Sequence, residues 1–176
     1  MSAFHPARSS GFTLIELMIT ITIFSIAIAM GVPSYRTWVQ NTQIRNAAES
    51  IQNGFQRTRA EAVKRNANVE FTLGVNSSWV IRVVSSGEIL ESRSGNEGSR
   101  SVTVAVTPGG ATTVTFSNLG AVVANADASA TVTRVDLDSS VLDAADSRNL
   151  SVTLGLGGNV RMCDPNLAAG SNPQAC

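Results

Sequence analysis

Few side chains in this sequence could do chemistry, and their spacing narrows what that chemistry is. Glu16 is the only ionisable residue between Phe12 and Val32, a run that is otherwise apolar or hydroxylated. The only cysteines, Cys163 and Cys176, fall in the last fourteen residues. Asp136, Asp138, Asp143 and Asp146 recur over a short stretch, but the glycine and terminal glutamate of an EF-hand calcium loop are missing. They read as solvated loop acids. The single histidine, His5, stands near the N-terminus, so the bulk of the chain offers neither a Ser-His nor a Cys-His nucleophile pair. Gly155-Leu156-Gly157-Gly158 follows a strand pattern but opens no helix, which argues against a phosphate-binding loop. The expectation is a chain with no catalytic residue, no metal and no cofactor.

Two of these features have physical consequences. In a cytosolic protein, two lone cysteines would be free thiols more often than a bridge. Here the N-terminal apolar run reads as an export segment. It carries the C-terminal part of the chain into an oxidising compartment, where a Cys163–Cys176 disulfide is the better reading. Closing a loop of about fifteen residues stabilises by roughly 3 kcal/mol in the chain-entropy model. Glu16 poses the opposite problem. A carboxylate at the centre of a bilayer costs about 2.5–3.5 kcal/mol on insertion scales, and less near a helix end. An acid kept there calls for a partner.

The element carrying Glu16 is a helix. The 21 residues Phe12–Val32 span about 32 Å at 1.5 Å per residue, close to the hydrocarbon thickness of a membrane. The run has no polar face, unlike a soluble core helix. A secretory signal peptide is the rival, with Arg8 as its charge and Ala27-Ile28-Ala29 as a small-residue cleavage site. Against it, the run exceeds the usual 7–15 residues and Glu16 interrupts its start. Pro33 comes directly after the run. A proline removes one helical hydrogen bond and tends to kink the helix. Because helical periodicity resumes after it, a kink or local melting is expected rather than a stop.

Gly11-Phe12-Thr13-Leu14-Ile15-Glu16-Leu17 resembles the processing motif of type IV prepilins and type II secretion pseudopilins. The resemblance implies a leader over 1–11 and a cut between Gly11 and Phe12 by a prepilin peptidase, followed by N-methylation of Phe12. It also implies that Glu16 pairs with the N-terminal amine of a neighbouring subunit during assembly. Residues 12–33 would be the transmembrane and filament-core helix, a single pass through the inner membrane with the C-terminal part periplasmic. In assembled pilins the backbone around the matching proline loses helicity, and Pro33 would do the same.

From Ser34 to about Asn66, Ile44, Ala47, Ala48, Ile51, Phe55, Ala62 and Val63 follow helical spacing and predict an amphipathic helix over 34–66 with one face on a core. Arg57, Arg59, Lys64 and Arg65 cluster near its end and read as a solvated face complementing the helix dipole, with Glu61 and Arg65 as an i, i+4 pair. Beyond it the texture becomes β-rich. Strands are expected over 69–73, 79–84, 88–91, 102–106, 112–116, 131–137, 150–154 and 160–162, several with period-two alternation. Ser85-Ser86-Gly87 and Pro108-Gly109-Gly110 read as turns; 121–130 and 139–147 read as loops. Trp79 is expected in the core. The fold class is therefore α+β and pilin-like: a long N-terminal helix packed on a β-rich head over 67–176.

Phe55–Asn66 resembles the helix end of the GspH/FimT-type branch, and Gly157–Cys176 resembles the ends of FimU/FimT-type minor pilins, with Cys-Asp-Pro and a second cysteine. In DNA-binding members a pair of arginines contacts phosphate. Only Arg161 matches here, because Asn159 stands where the first would be, and useful nonspecific affinity needs several cations. The chain as a whole has a formal net charge of +0 and only 15% charged residues, which gives no electrostatic reason to expect nucleic acid. The implied function is a minor pilin of the type IV pilus, acting in the tip or priming complex. An H-type pseudopilin of type II secretion is the alternative and a DNA-binding minor pilin a second one. Implied partners are other pilin subunits, the peptidase, the inner membrane and the assembly platform. A C-terminal disulfide is more typical of pilus subunits than of secretion pseudopilins.

Overall fold

The structure, a computed structural model, describes residues 11–170 and 172–176. The expected leader, with His5 and Arg8, lies outside the described residues except for Gly11. Among the described residues, one α-helix, α1 (Leu14–Arg65), is followed by nine strands, with a short 3-10 turn at Val75–Ser77 between the first two. The chain divides into two compact units, one through Arg36 and the other from Thr37 to Cys176.

In the first unit every residue from Gly11 to Arg36 is exposed. None of the apolar run is buried, and by length and composition the helix could cross a membrane. The helical assignment runs through Pro33. It does not stop there.

The second unit is built on the remaining part of α1. Ile44, Ala47, Ala48, Ile51, Phe55 and Ala62 are fully buried, and Ser50, Gly54 and Thr58 complete the same face. The small residues let a sheet come close. A Cβ on Gly54 would sit 2.5 Å from a ring carbon of Phe71. Phe71 in turn stacks between Phe55, centroids 4.6 Å apart, and Trp79 at 5.6 Å. Trp79 is in the core as expected, and its ring N–H donates to Ser50 Oγ at 2.9 Å. Val63, expected on this face, is 53% exposed; it lies one residue, and so about 100° around the helix, beyond Ala62. The helix closes in a Schellman arrangement: Asn66 takes φ 51°, its N–H bonds to Val63 O, and Ala67 N–H bonds to Ala62 O.

The rest of the head is two antiparallel sheets. The strands are β1 (Val69–Leu73), β2 (Trp79–Val83), β3 (Ile89–Arg93), β4 (Val102–Thr107), β5 (Thr113–Phe116), β6 (Val122–Val123), β7 (Arg134–Ser139), β8 (Leu150–Leu154) and β9 (Val160–Cys163). The first sheet runs β3-β2-β1-β5-β6 and the second β4-β7-β8-β9. Alternation aims Val69, Phe71 and Leu73 of β1 and Val135 and Leu137 of β7 into one core.

Some expectations need correction. The stretch 121–130, read as loop, contains β6, which pairs with β5 through Thr115↔Val123 and Phe116↔Val122. Its two residues are too few to show a period, so only the long-range pairing defines it. Pro108-Gly109-Gly110 is no hairpin turn, because it carries the chain from β4 in one sheet to β5 in the other. β7 begins at Arg134 rather than residue 131, since 131–133 stitch the two sheets. Val132 N–H reaches Thr113 O at 3.2 Å, while Thr133 N–H reaches Thr107 O at 2.8 Å.

Candidate functional site

The N-terminal segment is organised around Thr13. Glu16 N–H donates to Thr13 Oγ1 at 3.3 Å, and Leu17 N–H donates to Thr13 O at 3.2 Å. Thr13 is thus the N-cap and Glu16 the third helical residue, the spacing of a capping box. Gly11 and Phe12 precede the helix; Phe12 is 83% exposed and nothing lies within 4 Å of where a Gly11 Cβ would be. The Gly11–Phe12 peptide bond is therefore open chain directly before a capped helix. Sequence reading missed Thr13, although Thr-x-x-Glu was its signal. The acid in the first turn also meets the positive end of the helix dipole.

Other polar side chains in the run are satisfied locally. Thr20 Oγ1 donates to Leu17 O at 2.8 Å, Thr22 Oγ1 to Ile19 O at 2.8 Å, and Ser25 Oγ to Ile21 O at 2.7 Å. Hydroxyls bonded back to the preceding turn cost little in hydrocarbon. Glu16 is left as the one group in the run whose charge asks for a partner from outside.

The basic cluster at the end of α1 is the solvated face expected of it, and most of it is also tied to carboxylates. Arg57 Nε lies 3.1 Å from Glu91 of β3, and Arg65 bridges Glu61 at 2.9 Å and Glu88 at 3.1 Å. Lys64 also reaches Glu61, at 3.4 Å. The hydrogen bond from Arg65, with Lys64 beside it, holds the Glu61 carboxyl below its usual range, and Glu61 holds Arg65 above its own. The expected i, i+4 pair is present. Its extension to Glu88, just before β3, and the separate Arg57 pair with Glu91 of β3 come from the fold, which no helical spacing could announce. Of the four aspartates read as loop acids, Asp143 and Asp146 are exposed in a loop, whereas Asp136 and Asp138 lie on β7. Asp136 accepts from Ser151 Oγ and from Arg134 Nε, and Asp138 accepts from Ser147 Oγ and Ser139 N–H.

At the C-terminus Cys163 and Cys176 form a disulfide. Asp164 N–H donates to Gln174 O at 2.7 Å, Cys176 N–H donates to Asp164 O at 3.3 Å, and Asp164 and Ala175 form an isolated bridge. Arg161 completes the clasp: its Nη2 donates to Pro173 O and to Ala175 O, each at 2.7 Å. The residue singled out for phosphate thus spends one guanidinium nitrogen on the chain's own tail.

An exposed, capped apolar helix with one acid in its first turn, carrying a two-sheet head, defines a pilin-like protein. Comparisons agree. Residues 6–32 match the prokaryotic N-terminal methylation motif, and residues 47–158 match the family described as type II transport protein GspH. The chain belongs to the GspH family, in the type IV pilin and pseudopilin superfamily. Among solved structures, the type IV minor pilin FimU of Pseudomonas aeruginosa (strain PAO1) is similar in fold. Its P21 crystal form gives a TM-score of 0.52 at 17% identity, covering 79% of this chain and 98% of FimU. The P65 form gives 0.50 at 16% identity, covering 75% and 98%. Pilins are structural proteins that assemble with one another in filaments, rather than enzymes. The N-terminal helix and motif are those of a membrane-anchored pilin.

Proposed function

We propose that this chain is a minor pilin of a type IV pilus, acting with sister subunits in the tip or priming complex. A prepilin peptidase cuts between Gly11 and Phe12 and Phe12 is N-methylated. The helix stays in the inner membrane, the head faces the periplasm, and the assembly platform then draws the subunit into the filament. The observation that carries this reading is the lone carboxylate of Glu16 in the first turn of an exposed apolar helix, where Thr20, Thr22 and Ser25 are already bonded to backbone. The freed amine of a neighbouring Phe12 is the cation that makes such an acid tolerable, and a pair completed only between subunits favours docking. Around Pro33, which gives no N–H to the helix, local loss of helicity would let the subunit adapt as it packs.

N-terminal sequencing of the mature protein tests the processing. A start at Phe12 supports the proposal; a start at Met30 means a conventional signal peptide and ends it. The match to the GspH family favours a second reading, an H-type pseudopilin of type II secretion. The disulfide-closed tail supports the pilus. A deletion strain decides between them: loss of twitching motility supports the minor pilin, whereas loss of exoprotein secretion with motility intact supports the pseudopilin.

A further inference from the structure

The end of the head remote from Thr37 carries apolar side chains where turns normally carry polar ones. Leu119, at the tip of the β5–β6 turn, is 84% exposed, and Leu156, at the tip of the β8–β9 turn, is 81% exposed. The two turns are locked side by side. Val122 N–H donates to Leu156 O at 3.0 Å, and a Cβ on Gly158 would fall 2.2 Å from Gly120 O. The first turn is also fastened to the helix end, where Asn118 Nδ2 donates to Asn66 Oδ1 at 2.9 Å. Gly120 lies against Val63, itself 53% exposed, and against the stem of Arg59. Beside the turns opens an apolar cleft of about 180 Å³, lined by Val122, Val132, Leu154 and Leu156 among others.

Arg59 sets the chemistry of the patch. Arg57, Lys64 and Arg65 each have a carboxylate. Arg59 makes no ion pair or hydrogen bond among the described residues, and its guanidinium nitrogen Nε lies within 3.2 Å of Cβ positions built on both turn glycines. Exposed Leu119, Leu156 and Val63 beside a cleft form an apolar patch of the kind that marks a protein–protein contact, and the unpaired Arg59 supplies the arginine anchor that such contacts favour. Nucleic acid would require several cations.

We infer that this patch docks a neighbouring filament subunit of different sequence, whose contacting surface places an apolar side chain in the cleft and a carboxylate on Arg59. The inference rests on the filament-subunit reading above. Arg59 lies about 33 Å along the helix from Thr37, at the far end of the head's share of α1.

A photo-crosslinking residue placed at Leu119 of the full chain in its own cells tests it. Val75, 81% exposed on the turn between β1 and β2, serves as the control position. The expected result is one adduct from Leu119, to a second pilin-type subunit, with the crosslinked peptide containing Asp or Glu. The Val75 yield should be at least about tenfold lower. Arg59→Glu should cut the Leu119 adduct at least about tenfold, and changing that partner carboxylate to lysine should restore it. Leu156→Ser, at an exposed tip where folding is insensitive, should reproduce the loss without moving Tm. Equal adducts at both positions overturn the inference, as do adducts to a second copy, lipid or nucleic acid, or indifference to Arg59→Glu. If the chain starts at Phe12 and enters filaments while Leu119 captures nothing, this contact alone falls. A start at Met30 removes both readings.

Discussion

In the proposed assembly, Glu16 concentrates the function of the N-terminal segment in one charge. Replacing it with alanine removes the cost of inserting a carboxylate, so membrane insertion and cleavage after Gly11 should persist, with Phe12 still the first residue of the mature chain. Incorporation into sheared filaments should fall at least about tenfold, and Glu16→Gln should behave the same way, because shape without charge cannot pair with an amine. Immunoblots of membrane and filament fractions read both outcomes; normal incorporation of Glu16→Ala would remove the pairing mechanism. In the head, Gly54 is as constrained as Glu16 is exposed. Its missing Cβ is the space occupied by Phe71, which is fixed between Phe55 and Trp79. Gly54→Ala should therefore destabilise the head by about 1–3 kcal/mol, as overpacking does, despite alanine's better helix propensity. Thermal unfolding of the oxidised protein measures it.

In the proposed function helix α1 serves two solvents, and its last turns show how tertiary contacts reset side-chain charge. Glu61 is depressed by Arg65 and Lys64. A depressed carboxylate contributes stability that is present above its unfolded value and lost as pH falls through its folded one. The wild-type head should thus lose part of its advantage over Glu61→Gln as pH drops from about 4.3 through the lower folded value, and the two should converge below that. The difference at neutral pH should be a few tenths of a kcal/mol per pair, read from paired thermal melts at neutral pH and well below the folded value. In the apolar half of α1, Pro33→Ala restores an N–H donor to the helix. Backbone amides around residues 29–37 should exchange more slowly in the variant, and filament entry should suffer if local melting is part of packing.

For the molecule as a whole, the disulfide and Arg161 hold the C-terminal tail against β9. Cys163→Ser with Cys176→Ser should cost about 3 kcal/mol on the chain-entropy estimate for a loop of this size, measured by denaturant unfolding of the two proteins side by side. Arg161→Ala should loosen the tail while leaving the bridge intact, detected as faster exchange of the Asp164 and Cys176 amides. Much of the charge on the head is spent internally: Arg57 and Arg65 on acids in and beside β3, β7 acids on serines, Arg161 on carbonyls. Within the basic cluster at the end of α1, Arg59 is the exception on which the proposed contact turns.

What the chain determined by itself was whatever depends on near neighbours in sequence. The apolar run, its acid and its capping threonine begin within one helical turn of each other, and the core face of α1 repeats every three to four residues. Most strands carry their own period of two. The two cysteines needed only an oxidising compartment and a short loop. Tertiary structure decided what depends on pairing across distance. It split the strands into two sheets, turned Pro108-Gly109-Gly110 into a crossover, made a strand of Val122–Val123, and turned the β7 aspartates from loop acids into hydrogen-bond acceptors. It also gave Arg57 and Arg65 their acids in and beside β3 and withheld one from Arg59. Such partners lie many residues apart in the chain, and only folding brings them within reach of a hydrogen bond.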